Sequence, residues 1–366
     1  MAIFTKPSEC LLTLVISLLL FVPSAARQGS AASALDIYVI DVEGGEATLF
    51  VSPSRESILV DTGWPGFGGR DADRIVSAAA DAGIAAIDYL VVTHFHTDHM
   101  GGAIQLAERI PIRHFVDHGS SPNLGVRGQS AFETYADLRA GGIHLNVQPG
   151  DVVPLRDLDV RIIASGGDVL REPLPGAGGV NPSCQNFSFH GDSITSRAGD
   201  AEDQLSVSVA IRYGEFRTVI MGDLTWNKEH ALMCPRDKIG SVDAYLVSHH
   251  GAHTSGSEAL VHPLEPRAAI MNNGPRKGGA SQTFEILSTV ESLQHVWQNH
   301  YAVDAGSLNS PEQFIANLDD GSAAVGAGER PVHVGASHWI KLSAQADGSF
   351  TVTNSRNGYT HDYPAR

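Results

Sequence analysis

The sequence predicts an α/β fold in which buried strands alternate with helices. Short apolar runs rich in β-branched residues, such as 87–92, are typical of buried strands. Between them lie segments with helical spacing, such as 71–83, where Ile75, Ala79 and Ala82 share one face. The chain has 366 residues, 42% of them hydrophobic, so it is long enough to form a large core in one domain or two.

The amino-terminal half of the chain predicts a strand meander followed by alternating helices and strands. Alternating β-branched segments at 35–40, 47–51 and 57–60, around a Ser-Pro-Ser turn, are typical of neighbouring strands. The later elements are recognised by apolar runs and by terminal Gly pairs. Helices are predicted at 71–83, 103–109 and 131–140, and strands at 87–92 and 111–116.

The carboxy-terminal half begins with 164–203, which has no periodicity and many Gly, Ser, Pro and Asn residues. Such composition predicts a long loop, and long loops in compact domains are usually functional or disordered. Alternation and apolar runs then predict the next elements, which are strands at 204–212, 217–221 and 268–271 and helices at 225–233 and 283–293. The segments 338–342 and 349–353 flank Asp347-Gly348 and predict a carboxy-terminal β-hairpin.

Residues 1–26 have the pattern of a secretory signal peptide. The apolar stretch 11–22 is too short to span a bilayer comfortably, and small residues precede Arg27. We therefore expect cleavage after Ala26 and an exported protein, periplasmic or extracellular. An uncleaved amino-terminal anchor is the alternative, and no later stretch is long and apolar enough to form a stable membrane span.

Two cysteines, Cys184 and Cys234, remain after the signal segment is removed. In an exported protein they are expected to form a disulfide, and two buried free thiols are the alternative. The net charge is −16, and 1–26 contributes one Lys and one Glu, so cleavage leaves it unchanged. A surface of this sign repels polyanions, which disfavours nucleic acid as a partner.

A cluster of potential metal ligands follows the predicted strand 87–92. The ligands are His94, His96, Asp98 and His99, and Gly101-Gly102 comes directly after them. Imidazole and carboxylate groups are the usual ligands of Zn²⁺ and similar ions. His94 and His96 point the same way because side chains alternate along an extended segment, whereas Asp98 and His99 follow a bend and can serve a second ion. The alternative is a His-rich loop that binds metal only incidentally.

This stretch resembles the signature of the metallo-β-lactamase superfamily of metallohydrolases. Three further stretches match that superfamily in order, Asp61-Thr62-Gly63, Met221-Gly222-Asp223 and Tyr245-Leu246-Val247-Ser248-His249. The segments 41–47 and 248–251 also resemble the subgroup related to the hydrolase domain of ComEC-type DNA-uptake proteins. The resemblance covers about 35–273. It implies a four-layer αββα sandwich, with a hydrolase domain at 35–300 and a carboxy-terminal β-hairpin extension, 301–366, packed on the same domain.

The resemblance also implies a site for two divalent metal ions, zinc in the first place and manganese as the alternative. One ion would be bound by His94 and His96. The other would be bound by Asp98, His99 and His249, with His250 as the alternative to His249. Asp223 would bridge both ions. The alternative role of Asp223 is that of a capping carboxylate before the helix at Trp226.

The first ion lacks one ligand of the family pattern. The superfamily usually supplies a third His from the loop before a strand like 205–212, and here the loop 199–204 has none. Asp200 and Glu202 are candidate oxygen ligands, and His190 is a candidate from further along the chain. The first site is therefore expected to be weaker or to take a harder ion such as Mn²⁺.

These ligands predict a secreted binuclear metal-dependent hydrolase in which Asp98 and Asp223 are catalytic. Two cations lower the pKa of a shared water, and the hydroxide attacks a phosphoester. The partner is thus a small-molecule or polymer ester substrate, with His253 and Lys277 as candidate substrate-binding residues. A lactam, lactone or thioester hydrolase on the same site, or an inactive metal-binding module, are the alternatives. The sequence does not determine the oligomeric state.

Overall fold

The computed structural model describes residues 1–3, 34–119, 124–188, 200–318 and 337–366. The chain divides into two units, Met1–Ala32 and Ser33–Arg366, and the second carries every element discussed below. The predicted signal peptide, apart from residues 1–3, lies outside the described residues. Among the described residues, no helix combines the length and the apolar character needed to cross a membrane.

The described residues form seventeen strands and eight α-helices. The strands are β1 Leu35–Val39, β2 Thr48–Val51, β3 Ser57–Val60, β4 Ile87–Val91, β5 Ile112–Asp117, β6 Ile143–Asn146, β7 Asp159–Ser165, β8 Asp168–Val169, β9 Ser208–Tyr213, β10 Phe216–Ile220, β11 Ala244–Leu246, β12 Ala268–Met271, β13 His295–His300, β14 Ile315–Asn317, β15 Ile340–Ala344, β16 Phe350–Asn354 and β17 Thr360–Tyr363. The helices are α1 Arg70–Asp81, α2 Thr97–Met100, α3 Ala103–Ala107, α4 Gly125–Ala140, α5 Asp200–Asp203, α6 Trp226–Met233, α7 Glu258–Leu264 and α8 Ser281–Ser288.

The strands make two mixed sheets. The first sheet has the order β17-β16-β15-β1-β2-β3-β4-β5-β6, and the second has the order β14-β13-β12-β11-β10-β9-β7-β8. Their inner faces share one apolar core, in which Ile37 and Val60 of the first sheet lie with Val209 and Ile270 of the second. An apolar stripe on a sheet or a helix is stable only when another layer covers it, and these two sheets cover each other.

Helices cover the outer face of each sheet. Ile75 and Ala79 of α1 belong to the same buried cluster as Leu90 of β4. Leu260 of α7 and other side chains of α6 and α8 form a second cluster with Tyr245 of β11. The order of layers is therefore helix, sheet, sheet, helix, which confirms the predicted αββα sandwich.

The carboxy-terminal segment contributes strands to both sheets. β15 pairs antiparallel with β1, and β16 pairs with β15, so the predicted hairpin is present. A further strand, β17, pairs with β16 and was not predicted from the sequence. It is short, and its Tyr363 ring stacks on Phe350 with ring centroids 4.3 Å apart. Its sequence, Thr-His-Asp-Tyr, has one buried residue and no apolar run to recognise, and pairing with β16 is what orders it.

The segment predicted as one long loop is partly structured. It contains the end of β7, the short strand β8, a 3-10 helix at Pro182–Asn186 and α5, while 189–199 lies outside the described residues. Buried contacts order this polar stretch. The amide nitrogen of Asn181 donates to Met233 O (3.1 Å) and to Ala259 O (2.8 Å). Cys184 forms a disulfide with Cys234, as the sequence predicts.

The two sheets meet at the ends of β4 and β10. β3 and β4 are parallel, as are β10 and β11, so the segments that follow them emerge at common sheet edges. Thr93, which follows β4, accepts a hydrogen bond from Val207 N at 2.7 Å. A Cβ on Gly222 would lie 2.9 Å from the Thr93 side chain, so only glycine fits there. This close approach brings the segments after β4 and β10 together.

The Cys184–Cys234 disulfide should contribute measurably to stability. It joins residues separated by 50 positions in the sequence, and the chain-entropy estimate for a loop of that size is about 3–4 kcal/mol. We expect a double Cys184→Ser, Cys234→Ser variant to unfold at lower denaturant concentration, by a free energy of that order. Urea titration followed by circular dichroism measures it, with the oxidised protein as reference. Equal unfolding midpoints would contradict the expectation. So would two reactive thiols in the wild-type protein after it is unfolded without a reductant.

Candidate metal centre

A first group of ligand atoms is formed by His94, His96 and Asp203, whose nitrogen and oxygen atoms all lie within 4.8 Å of one another. His94 and His96 follow β4, and Asp203 is the last residue of α5. Asp203 Oδ1 lies 2.9 Å from His96 Nδ1 and 3.4 Å from His94 Nε2. The group therefore contains two imidazoles and one carboxylate, a donor set that suits a divalent cation.

A second group is formed by Asp98, His99, His250 and Asp223. Asp98 and His99 lie on α2, a single helical turn where the sequence predicts only a bend. His99 Nε2 lies 3.3 Å from Asp98 Oδ2 and 3.3 Å from His250 Nε2. Two ring nitrogens and a carboxylate oxygen thus face one another inside the protein, where all of these side chains are buried.

The Asp223 carboxylate lies between the two groups. Its Oδ2 atom is 3.8 Å from His94 Nε2 and 3.2 Å from His99 Nε2. The same oxygen is 3.2 Å from His249 Nε2. The N-cap of α6 is Thr225, so Asp223 is not the capping residue of that helix. Its position is the one a bridging ligand requires.

The loop after β11 presents two adjacent histidines in an uncommon backbone conformation. His249 has φ 51° and ψ 43°, and His250 has φ 54° and ψ 16°. The left-handed region is unfavourable for residues with a Cβ, and such conformations persist only where the surroundings impose them. As a result, the imidazoles of both His249 and His250 lie close to the Asp223 carboxylate. His249 Nδ1 is held by the hydroxyls of Thr254 and Ser255, at 3.1 and 3.2 Å.

Asp61 fixes the orientation of the second group from behind. Its carboxylate accepts hydrogen bonds from Thr93 N (2.8 Å) and Thr93 Oγ1 (2.7 Å), and it lies 2.7 Å from His99 Nδ1. A carboxylate on one imidazole nitrogen sets the tautomer and leaves the other nitrogen to face the site. His99 Nε2 is therefore directed toward Asp98 and Asp223.

Buried charges dominate the electrostatics of the centre. Burial alone would raise the pKa of Asp223, but the neighbouring histidines, His249, His99 and His250, hold it well below its usual range. Burial would lower the pKa of His99, yet the surrounding carboxylates raise it well above its usual range. The pKa of His94 is lowered by burial and by His99, so its ring is neutral and able to bind a cation.

The arrangement fits two divalent cations. Asp98, Asp203 and Asp223 are 7%, 7% and 3% exposed, and buried carboxylates are costly unless positive charge compensates them. Asp203 Oδ1 meets no geometric hydrogen-bond criterion with any described residue, although it lies 2.9 Å from a ring nitrogen of His96. Two ligands of one ion approach each other in this way.

The structure corrects the expectation for the third ligand of the first group. It places Asp203 beside His94 and His96, whereas the Glu202 carboxylate accepts a hydrogen bond from Phe95 N at 2.8 Å and does not join the group. His190, the other candidate, lies outside the described residues. Glu202 and Asp203 are adjacent in α5, and adjacent side chains of a helix point in directions about 100° apart. The sequence contains no signal that favours Asp203 over its acidic neighbours.

The other predicted residues are distributed as follows. His250, rather than His249, stands in the group with Asp98 and His99, although both histidines approach Asp223. Lys277 forms an ion pair with Asp98, and its ammonium lies 4.9 Å from the centre of the Trp64 ring. His253 is exposed on the loop that follows His249 and His250.

A third cluster of ligand-type side chains, formed by Asp41, Glu43 and His300, has a different character. Arg74 Nη1 lies 2.8 Å from Asp41 Oδ2 and 3.4 Å from Glu43 Oε1. A guanidinium already supplies positive charge there. We therefore interpret this cluster as a buried ion-pair network that anchors the segment after β1.

Comparisons with known proteins agree with this architecture. Residues 40–193 match the sequence profile described as Metallo-beta-lactamase superfamily. ComE operon protein 3 of Bacillus subtilis is 23% identical over 274 residues, 71% of this chain and 30% of that protein. Recombination protein 2 of Haemophilus influenzae is 25% identical over 236 residues, 64% of this chain and 24% of that protein. The chain thus spans less than a third of the length of these relatives.

Solved structures show similarity at a lower level. A subclass B3 metallo-beta-lactamase from a soil metagenome library, MEM-A1, is 17% identical, with a TM-score of 0.36 over 60% of this chain and 78% of that one. A diphosphatase from the PhnP family is 10% identical, with a TM-score of 0.37 over 78% of this chain and 94% of that one. Similarity at this level does not identify a reaction.

Replacing Asp223 should release a metal ion. Asp223→Asn keeps the shape of the side chain but removes a negative charge from between two cations, which then repel each other more strongly. We expect elemental analysis to find fewer than two metal ions per chain. We also expect the rate of metal-dependent hydrolysis to fall by orders of magnitude. Asp237→Asn is the matched control, since that buried carboxylate accepts Ile239 N and Gly240 N in a turn and contacts neither group. Two ions in Asp223→Asn, with unchanged turnover, would refute the shared position.

The two groups should lose their ions independently. Asp203→Ala should empty the group with His94 and His96, and His250→Ala should empty the group with Asp98 and His99. His249→Ala should have the smaller effect on occupancy, because its Nε2 atom lies 3.2 Å from Asp223 but belongs to neither ligand group. Metal content of each folded variant is measured after dialysis against buffer with trace metal. Loss of an ion from His249→Ala, with both retained in His250→Ala, would reverse the assignment.

Proposed function

Because the chain contains a metallo-β-lactamase superfamily domain, we propose that it is an exported, binuclear metal-dependent hydrolase of phosphoesters. The observation that carries the proposal is the Asp223 carboxylate. One of its oxygens lies within 3.2–3.8 Å of ring nitrogens of both His94 and His99, which belong to different ligand groups. A carboxylate shared in this way supports two ions held side by side.

The residues that would hold the two ions are those of the two groups. His94, His96 and Asp203 would hold one, and Asp98, His99 and His250 would hold the other, with Asp223 between them. Two bound divalent cations would supply Lewis acidity and lower the pKa of a water. The donor set of imidazoles and carboxylates suits Zn²⁺ and also Mn²⁺, because each group contains oxygen as well as nitrogen ligands.

Lys277 supports a substrate with a negatively charged oxygen. Its side chain is 35% exposed, so the ammonium is accessible from solvent while Asp98 and the Trp64 ring hold it at the edge of the centre. Three rotatable N–H donors on a positive charge suit a phosphoryl oxygen. The neighbouring Arg276 is exposed and makes no ion pair among the described side chains, which makes Lys277 the better candidate.

The net charge restricts the size of the substrate that we propose. At −16, the protein repels extended polyanions at long range. A small phosphodiester carries a single negative charge, which two cations and one lysine compensate locally. We therefore favour a small phosphodiester over a nucleic acid.

Export is supported by the disulfide. Disulfides form and persist in oxidising compartments, and Cys184 and Cys234 are bonded to each other. This agrees with the signal-like pattern of residues 1–26. Intact-mass analysis of the protein from its native host tests the proposal, and a mass that still includes those residues would contradict cleavage.

A substrate panel tests the reaction class. The purified protein, loaded with two equivalents of Zn²⁺ or Mn²⁺, is assayed against bis(p-nitrophenyl) phosphate and against nitrocefin. We expect metal-dependent hydrolysis of the phosphodiester and no lactam hydrolysis above a chelator-treated control. Lactam hydrolysis alone would replace the proposed reaction. Two bound ions with neither substrate hydrolysed would favour an inactive metal-binding module.

Lys277 variants test how the substrate is held. Lys277→Ala should lower kcat/KM for the phosphodiester about 10–100-fold, since a hydrogen bond to a charged group is worth about 1.5–3 kcal/mol. Lys277→Arg should retain most of the activity because it keeps the positive charge. Arg276→Ala is the matched control and should behave as wild type. Equal losses in Lys277→Ala and Arg276→Ala would show that only general surface charge matters.

A further inference from the structure

Two side chains behind the first ligand group form a buried polar pair. Glu202 and His118 are both fully buried, and His118 Nε2 lies 3.0 Å from Glu202 Oε1. A carboxylate cannot donate, so the His118 N–H donates this hydrogen bond. Among the described residues His118 Nδ1 has no hydrogen-bond partner, and Glu202 is the residue that orients the ring through Nε2.

Glu202 also reaches the backbone between two candidate metal ligands. Its Oε1 atom accepts a hydrogen bond from Phe95 N at 2.8 Å, and Phe95 stands between His94 and His96 in the chain. The next residue after Glu202 is Asp203, the third member of the same group. Glu202 is therefore linked to all three ligands of that group. Its carboxylate holds Phe95, which lies between His94 and His96, and its backbone is bonded to Asp203.

The rest of this segment is tied to the same loops by the backbone. Val207 N donates to Thr93 O at 2.7 Å, and Asp223 N donates to Ser206 Oγ at 3.2 Å. These bonds hold the ends of the loops, and Glu202 holds the Phe95 N–H between His94 and His96. The second group is oriented by Asp61, through His99.

We propose that Glu202, held by His118, is a positioning residue that sets the metal affinity of the group formed by His94, His96 and Asp203. The inference rests on the proposed function only in taking that group to bind an ion. The Glu202–His118 pair compensates for the replacement of the family's usual third histidine by Asp203, whose side chain is shorter. Asp203 reaches the two imidazoles because the residue beside it is clamped to their loop.

Three substitutions separate the hydrogen bonds from the charge. Glu202→Gln keeps an oxygen that can accept from both Phe95 N and His118 Nε2. Glu202→Ala removes the acceptor altogether. His118→Phe keeps a ring to pack against Phe95, whose ring centre lies 4.3 Å from that of His118, but removes the donor. If the hydrogen bonds of Glu202 position the ligands, Glu202→Gln should keep the metal affinity that Glu202→Ala loses.

The matched control is Asp243→Ala. Asp243 is a buried carboxylate that accepts a backbone N–H, from Arg217 at 2.9 Å, and a side-chain donor, Arg267 Nη2 at 2.8 Å. It precedes β11, at the opposite end of that strand from the metal-binding loop. Loss of Asp243 should therefore destabilise the fold without a selective effect on either ion.

The experiment is a competitive titration of the full-length apoprotein with Co²⁺ or Zn²⁺ and a chromogenic chelator, which gives two dissociation constants. In Glu202→Ala we expect one constant to rise about 10–100-fold, the range typical when a partner of a metal ligand is lost, while the other stays within about 3-fold. Glu202→Gln should stay near wild type, and His118→Phe should fall between the two. The Co²⁺ absorption spectrum should change for the weakened ion alone.

The outcomes distinguish this inference from the proposed reaction. Unchanged constants in Glu202→Ala, or an equal rise in both constants, would overturn the positioning role. An Asp243→Ala variant with the same selective loss would also overturn it. If Glu202→Ala does not fold, His118→Phe decides by the same criteria. A wild-type protein that binds two ions with these properties but hydrolyses no phosphodiester would refute the reaction and leave the positioning role standing.

Discussion

The structure depends on the burial of three carboxylates where its two sheets meet. Asp98, Asp203 and Asp223 come from three separate segments and are almost completely buried. Burying a charged group without compensation costs several kcal/mol, so positive charge must accompany them. Within the chain, Lys277 and His99, whose pKa is raised well above its usual range, supply part of that charge. The donor set then matches two divalent cations, and their binding would contribute to the stability of this edge of the sandwich.

The scaffold makes that burial possible by placing irregular backbone at the ends of rigid strands. Each ligand-bearing segment follows a strand of the shared core or lies close to one, so its position is fixed by packing on both sheets. Uncommon conformations concentrate there. His249 and His250 are both left-handed, and Gly222 approaches Thr93 too closely for any side chain. Strain of this kind persists at functional sites because the surrounding structure over-determines it.

The first ligand group contains a carboxylate, Asp203, where the family resemblance implies a third histidine. A carboxylate in place of an imidazole is shorter and brings charge, so it must come closer and be better supported. Here the support is an adjacent, fully buried Glu202 and the histidine that donates to it. We propose that this oxygen ligand would favour harder cations than an all-histidine site does.

The sequence by itself determined the alternation of strands and helices, the strands that carry the site and the four contiguous candidate ligands after β4, and these features depend on local patterns. The αββα class and the role of Asp223 came from the resemblance to a known superfamily. Apolar runs mark buried strands, and His94, His96, Asp98 and His99 are contiguous with the end of β4. The Cys184–Cys234 pair could be predicted because the segment after the signal-like region contains two cysteines and no others.

The tertiary structure alone decided which of several equivalent side chains face the centre. Glu202 and Asp203 both carry a carboxylate and are adjacent, and only the direction of their side chains on one helical turn brings Asp203 to His94 and His96. His249 and His250 are likewise adjacent, and the left-handed backbone assigns them different neighbours. The position of β17 depends on the edge that β16 offers. In each case the deciding contact joins residues far apart in the chain, which local pattern does not encode.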